Sequence, residues 1–117
     1  MRDVINHGIV LFCADYEACV AFYRDTLDLP VWYVKPDLTC FRFGDGYLMV
    51  ESGGTRGQTG GIMLRFNVMD VPGRARELAD RGVAVKLETH SWGTVARFRD
   101  PDGNLCQLKD AEDPFFQ

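Results

Sequence analysis

Few residues in this chain of 117 could carry chemistry. Glu51 and Arg65 bear opposite charges on either side of a glycine-rich stretch, and as a pair they could serve as general base and oxyanion stabiliser. Glu51 would then need its pKa raised by burial, which a nearby Arg65 would oppose. His90, in the stretch Glu88–Thr94, could donate a hydrogen bond or take a proton near neutral pH, although a solvated loop histidine is the plainer expectation. Phe12, Trp32, Tyr47 and Trp92 could stack on a flat or cationic molecule, Met49 and Met63 could adapt to its shape, and Asn67 and Gln107 supply amides for hydrogen bonding.

Other chemistries lack their residues. Cys13, Cys19, Cys40 and Cys106 form no C-x-x-C pair and are expected to be reduced, buried thiols. No G-x-G-x-x-G opens a helix, and no G-x-S-x-G surrounds a serine, so phosphate cradling and covalent hydrolysis have little support. The run Arg74–Arg81 alternates in sign and reads as a solvated helix face. A net charge of −4 opposes binding to a polyanion, so nucleic acid is not an expected partner. No apolar run approaches the length of a bilayer span, which argues against a membrane partner. The amino terminus reads as the approach to a strand rather than as a targeting peptide, and a cytoplasmic location is expected.

The elements that must position these residues fall into two similar halves. The segment Ser52–Gly61 (SGGTRGQTGG) holds five glycines and no large apolar residue, and reads as a linker centred on about 53–60. Before it, at about 4–52, the signals run strand (Ile5–Cys13), helix capped by Asp15 and ended before Pro30, then strands near Val31–Val34, Leu38–Phe43 and Tyr47–Glu51. After it, at about 61–110, the same order returns. There is a strand (Gly61–Val68), a helix capped by Asp70 with Pro72 in its first turn and Gly82 as its stop, then strands near Val83–Leu87, Val95–Phe98 and Leu105–Leu108. Asp100-Pro101-Asp102-Gly103 is the last hairpin turn, and the tail 111–117 is not periodic.

Alternation along a strand sorts side chains onto two faces. Ile9, Leu11, Cys13, Leu48, Val50, Ile62, Leu64, Phe66, Val68, Cys106 and Leu108 form one apolar face suited to packing beneath the helices. The other face mixes Gly8, Val10, Phe12, Tyr47, Met49, Glu51, Met63, Arg65, Asn67, Leu105 and Gln107, which is the composition of a ligand-lined cavity. Left exposed, its aromatics would make an apolar patch of a kind soluble monomers avoid. A homodimer interface could cover the same aromatics, and a homodimer is expected.

Asp15 with Phe22-Tyr23, Leu27 to Pro30 (L-x-L-P), Trp92-Gly93, and F-R-D-P-D-G-N at Phe98 to Asn104, set in a doubled βαβββ order, resemble the vicinal oxygen chelate superfamily. That group includes glyoxalase I, extradiol dioxygenases and bleomycin-resistance-like binding proteins, and the resemblance covers nearly the whole chain. It implies an α+β fold in which two βαβββ modules form a curled, mixed eight-stranded sheet around a central cleft, with helices on the outer face. Metal-dependent members place a ligand on the first and last strand of each module, and those positions fall here on Gly8, Glu51, Met63 and Gln107. Only Glu51 is a usual ligand for a hard divalent ion. A one-residue slip or bulge in the first strand would bring His7 inward and give a His7, Glu51, Gln107 trio; a histidine at the strand end, on the helix side or at the edge, is the plainer expectation.

Two functions follow from the resemblance. The first is a bleomycin-resistance-like protein that binds a small aromatic or cationic molecule in a metal-free cleft, with no cofactor and with Glu51 offsetting a positive charge. The second is a lyase, isomerase or dioxygenase, which would use a divalent metal at His7, Glu51 and Gln107, or act without metal through Glu51 and Arg65.

Overall fold

The expected order of elements occurs twice in the computed structural model, which describes residues 2–3, 5–54, 62–91 and 93–110. The chain divides into two compact units, Met1–Gln58 and Thr59–Gln117. The first holds β1 (Gly8–Cys13), α1 (Tyr16–Ala21) running on into a π-helical turn (Phe22–Thr26), β2 (Val31–Lys35), β3 (Leu38–Phe43) and β4 (Gly46–Ser52). The second holds β5 (Leu64–Val68), α2 (Val71–Asp80), β6 (Lys86–His90), β7 (Gly93–Arg99) and β8 (Leu105–Asp110). This is the α+β fold of two βαβββ modules. Each module forms its own four-stranded mixed sheet, ordered β1-β4-β3-β2 and β5-β8-β7-β6. The first strand of each lies parallel to the last, and the other pairings are antiparallel.

Both helices start at the aspartates expected to cap them. Asp15 Oδ1 accepts from the backbone of Ala18 at 3.2 Å, and Asp70 Oδ1 from that of Gly73 at 3.1 Å, satisfying N–H groups that have no partner within the helix. Gly82, at φ +89°, ends α2 in a conformation that only glycine adopts cheaply. The π-helical turn, closed by Leu27 N–H donating to the Phe22 carbonyl at 2.9 Å, buries Phe22 and Tyr23 in succession. Tyr23 then lies 6.2 Å from the Phe41 ring.

The helix-side faces are the cores. Leu11, Cys13, Leu48, Val50 and Phe41 are buried in the first module and Leu64, Cys106, Leu108, Ala96 and Phe98 in the second, together with Val71, Ala75 and Leu78 of α2. All four cysteines are free and buried, as expected.

Several boundaries differ from those read in the sequence. β1 begins at Gly8, leaving Ile5 99% exposed. β5 begins at Leu64, so Met63 precedes the strand and Ile62, expected in the core, is 56% exposed. β6 lies three residues later than expected: the β-branched Val83 and Val85 precede the ladder, which begins at Lys86, and His90 is a strand residue paired with Gly93 rather than part of a loop. Among the described residues no helix is long and apolar enough to cross a membrane.

Candidate functional site

The face of each sheet turned away from its helix carries the residues expected to do chemistry. In the first module Val10 and Phe12 on β1 stand beside Met49 and Glu51 on β4. Leu38, Cys40 and Arg42 on β3 continue the same rows. A β-bulge between Val31 and Tyr33 breaks the alternation of β2. Consecutive residues thereby reach one side: Tyr33 pairs with Cys40, while the Trp32 ring lies 6.3 Å from Tyr47 and 5.3 Å from Tyr33.

Arg42 stacks its guanidinium over the Trp32 ring at 3.9 Å, and the Lys35 ammonium lies 5.6 Å from the Tyr33 ring. The Tyr33 phenol is pushed above its ordinary pKa, first by its hydrogen bond with Cys40 and then by desolvation. The sequence reading missed Tyr33, Lys35 and Arg42 because it followed alternation only along the first and last strand of each module. Extending it across β3 would have found Arg42, whereas the bulge hides the placement of Trp32 with Tyr33. Phe12 (56% exposed), Trp32 (42%) and Val10 (42%) leave substantial apolar surface open on this face.

The four positions that a family metal site would use are placed as follows. Gly8 lies opposite Tyr47, and a Cβ built on Gly8 would overlap the Tyr47 ring, so tyrosine fills the space a ligand side chain would need. Glu51 is half-buried on β4. Met63 offers a thioether from the chain just before β5. Gln107, 1% exposed, accepts at its Oε1 from Arg65 Nε at 2.8 Å. His7 does not turn into the open face. It lies before β1 beside Gly46, where a Cβ would come 2.9 Å from its Nε2. Among the described residues no three His, Cys, Asp or Glu side chains are grouped to hold an ion.

The second module's open face is polar and cationic. Arg65, Gln107, Arg97 and Lys86 form one lateral row across β5, β8, β7 and β6, followed by the row Asn67, Lys109, Val95 and Glu88. Asn67 reaches the Asp110 carbonyl at 3.5 Å. Glu88 is the hub of the outer strands: its carboxylate lies 2.9 Å from His90 Nε2, 3.2 Å from Lys86 Nζ and 3.6 Å from Arg97. These contacts, the His90 hydrogen bond foremost, hold the Glu88 carboxyl below its ordinary pKa. His90 therefore has a fixed carboxylate partner on its own strand. Trp92 lies outside the described residues.

A cavity of about 460 Å³ opens elsewhere, at the start of α2, lined by Asn67, Asp70, Gly73, Arg74 and Glu77. Asp70 already occupies the helix terminus there, so its polar groups satisfy one another.

Solved structures share this architecture. The antibiotic-binding protein TnmS3 from Streptomyces sp. CB03234 superposes with a TM-score of 0.74 over 94% of this chain and 98% of that one, at 26% identity. Lactoylglutathione lyase from Agrobacterium tumefaciens superposes at 0.75 over 93% and 94%, and at 20% identity that likeness is one of fold. The uncharacterised protein YraH of Bacillus subtilis (strain 168) is 29% identical over 86% of this chain and 93% of its own length. The model of the Glyoxalase/Bleomycin resistance protein/Dioxygenase superfamily matches residues 5–108, and the chain belongs to that superfamily.

Proposed function

We propose that the protein binds a small aromatic molecule on the open face of its first module's sheet and does so without a metal ion. The observation that carries this reading is the cluster of Trp32, Tyr33 and Tyr47, with Arg42 already stacked on Trp32 and with Phe12 and Val10 exposed on the same face. Flat rings on a rigid sheet supply large contact area at little cost in conformational entropy, and Met49 beside them adapts to shape. An exposed apolar face of this kind marks a binding surface. The 26% identity to TnmS3, which binds an antibiotic, supports the same class of function.

The donor set does not suit the divalent site found in metal-dependent relatives. One position is occupied by the Tyr47 ring, one is a thioether, and the amide oxygen of Gln107 is engaged by Arg65. That leaves Glu51, and a hard ion held by one carboxylate keeps most of its water. Glu51, half-buried on the first module's open face, is accordingly a ligand contact in this reading, while Gln107 serves to hold Arg65. A homodimer in a cytoplasmic setting remains part of the proposal, with a second copy covering exposed edge residues such as Val34, 66% exposed on β2.

The test is ligand-observed NMR of a panel of small aromatic compounds against chelator-treated protein and its Trp32→Ala variant. The expected result is a set of binders whose affinity falls about tenfold in the variant, the loss anticipated for one desolvated aromatic contact. Binding that appears only after a divalent ion is restored would instead favour the enzyme reading through His7, Glu51 and Gln107.

A further inference from the structure

The four strands of the first module hold three charged side chains, Lys35, Arg42 and Glu51. In a chain of net charge −4, two of those three are cations. Register puts all of them on the open face: Arg42 lies beside Tyr47 in one lateral row, while Glu51 and Lys35 flank Leu38 in another. Glu51 stands four residues along β4 from Tyr47, about 13 Å at the rise of a strand, and so does not neutralise Arg42. Both cations are stacked on the aromatic cluster, Arg42 over Trp32 at 3.9 Å and Lys35 at 5.6 Å from the Tyr33 ring.

Arg42 differs from other arginines of the chain in what it meets. Arg24 and Arg74 hold carboxylates at 2.8 and 2.9 Å, Arg65 holds the Gln107 amide oxygen at 2.8 Å, and Arg99 the Gly103 carbonyl at 2.9 Å. Among the described residues the Arg42 side chain has a ring and no acceptor. The Trp32 indole N–H and the Tyr47 hydroxyl beside it are likewise without a hydrogen-bond partner among the described residues. A guanidinium packed flat on a ring keeps its N–H donors in its own plane, at its edge. The ring also fixes that plane, so less side-chain freedom is lost when a second planar group arrives. Exposed donors of this kind are solvated until a stronger acceptor replaces water, and an oxyanion is such an acceptor.

We infer that Arg42 sets the charge of the ligand on this face: the aromatic molecule bound there carries an oxyanion, a carboxylate or a phosphate, that takes the in-plane N–H groups of Arg42 while its ring packs against the aromatic cluster. A cation is disfavoured in the same place. It could reach the Trp32 face that Arg42 covers only by displacing the guanidinium, and it would meet like charge from Arg42 and Lys35. The inference rests on the small-molecule reading above and deepens it. The ionic arm of the ligand is negative, in place of the positive charge that Glu51 alone suggested, and Glu51 is left to accept a hydrogen bond at the far end of the face.

The test uses 2-naphthoate, 2-naphthyl phosphate, 2-naphthamide and 2-naphthylmethylammonium, probes with one ring system and different charge. Affinities are measured by ligand-observed NMR in wild type, Arg42→Gln, Arg42→Lys and Arg24→Gln. The last makes the same change of net charge on the π-helical turn, away from the sheet, and controls for long-range attraction. The expected result is that an anionic probe binds wild type at least about tenfold more tightly than the amide and loses about tenfold in Arg42→Gln. The amide should be unchanged in that variant, the ammonium should gain as the Trp32 face is vacated, and Arg24→Gln should leave all four affinities as they were. Should Arg42→Gln fail to fold, Arg42→Lys keeps the charge, loses the fork and is expected to show a smaller loss for the anions alone.

Whichever anion binds more tightly with this dependence on Arg42 identifies the oxyanion as carboxylate or phosphate, and either result supports the inference. Equal affinity for charged and neutral probes, a loss in Arg42→Gln shared by the amide, or the same loss in Arg24→Gln overturns it while leaving aromatic binding intact. Tightest binding of the ammonium overturns it in favour of a cationic ligand opposite Glu51. If no probe binds, the amide included, the small-molecule reading falls and the inference with it.

Discussion

The proposed metal-free reading turns on one pair of residues, Gly8 and Tyr47. The phenol ring lies across the Cα of Gly8, so any side chain at position 8 would overlap it. Gly8→Ala is expected to displace the ring and cost about 2 kcal/mol, the usual scale for overpacking, read as a lowered urea midpoint. In the Tyr47→Ala background the same substitution should cost less than about half as much; an equal cost in both backgrounds would mean that the ring is not what excludes a side chain. Single residues of this kind were partly legible in the sequence. The absence of a ligand at position 8 could be read directly, and so could the placement of Phe12, Met49, Glu51 and Gln107 on the face away from the helices. The cause, a ring lying over the glycine, is a tertiary contact that no periodicity reports. The same holds for Arg65, whose partner Gln107 lies 42 positions away in sequence.

Turns and caps are where local chemistry determined structure most directly. The F-R-D-P-D-G-N motif is a structural device: Asp100 Oδ1 accepts from the backbones of Asp102 at 2.9 Å and Asn104 at 2.8 Å, while Asn104 Nδ2 donates to Oδ2 at 2.7 Å. Asp100, Asp102 and Asn104 are all buried, so this turn fixes the β7–β8 hairpin that presents Arg97 and Gln107. Asp100→Ala removes three charge-assisted bonds and leaves two backbone donors unsatisfied. The expected loss is about 3 kcal/mol by chemical denaturation, and a loss under about 1 kcal/mol would show that water replaces the aspartate. Helix caps and this turn were readable because their signals span a few residues. The start of β6 was not, because the β-branched Val83 and Val85 suit a strand whose pairing begins only at Lys86. The bulge in β2 was equally hidden, since an extra residue changes which side chains share a face without changing composition.

At the scale of the whole molecule, a duplicated module has taken different chemistry on its two open faces. One is aromatic, with Trp32, Tyr33, Tyr47 and Phe12; the other is cationic, with Arg65, Arg97 and Lys86 in one row. The doubled order could be read from the glycine-rich break and the two capped helices, and family membership follows from the match over residues 5–108. The charge difference between the faces could not, because it depends on the register of β6 and β7. The proposed function is placed in the first of these faces because the fold itself is common to an antibiotic-binding protein and a lyase. The most direct measurement is the metal content of wild type and Glu51→Ala by elemental analysis after dialysis against nickel, zinc or manganese. The expected result is less than stoichiometric ion in both proteins, whereas one ion per chain in wild type, lost in Glu51→Ala, would contradict a metal-free binding site.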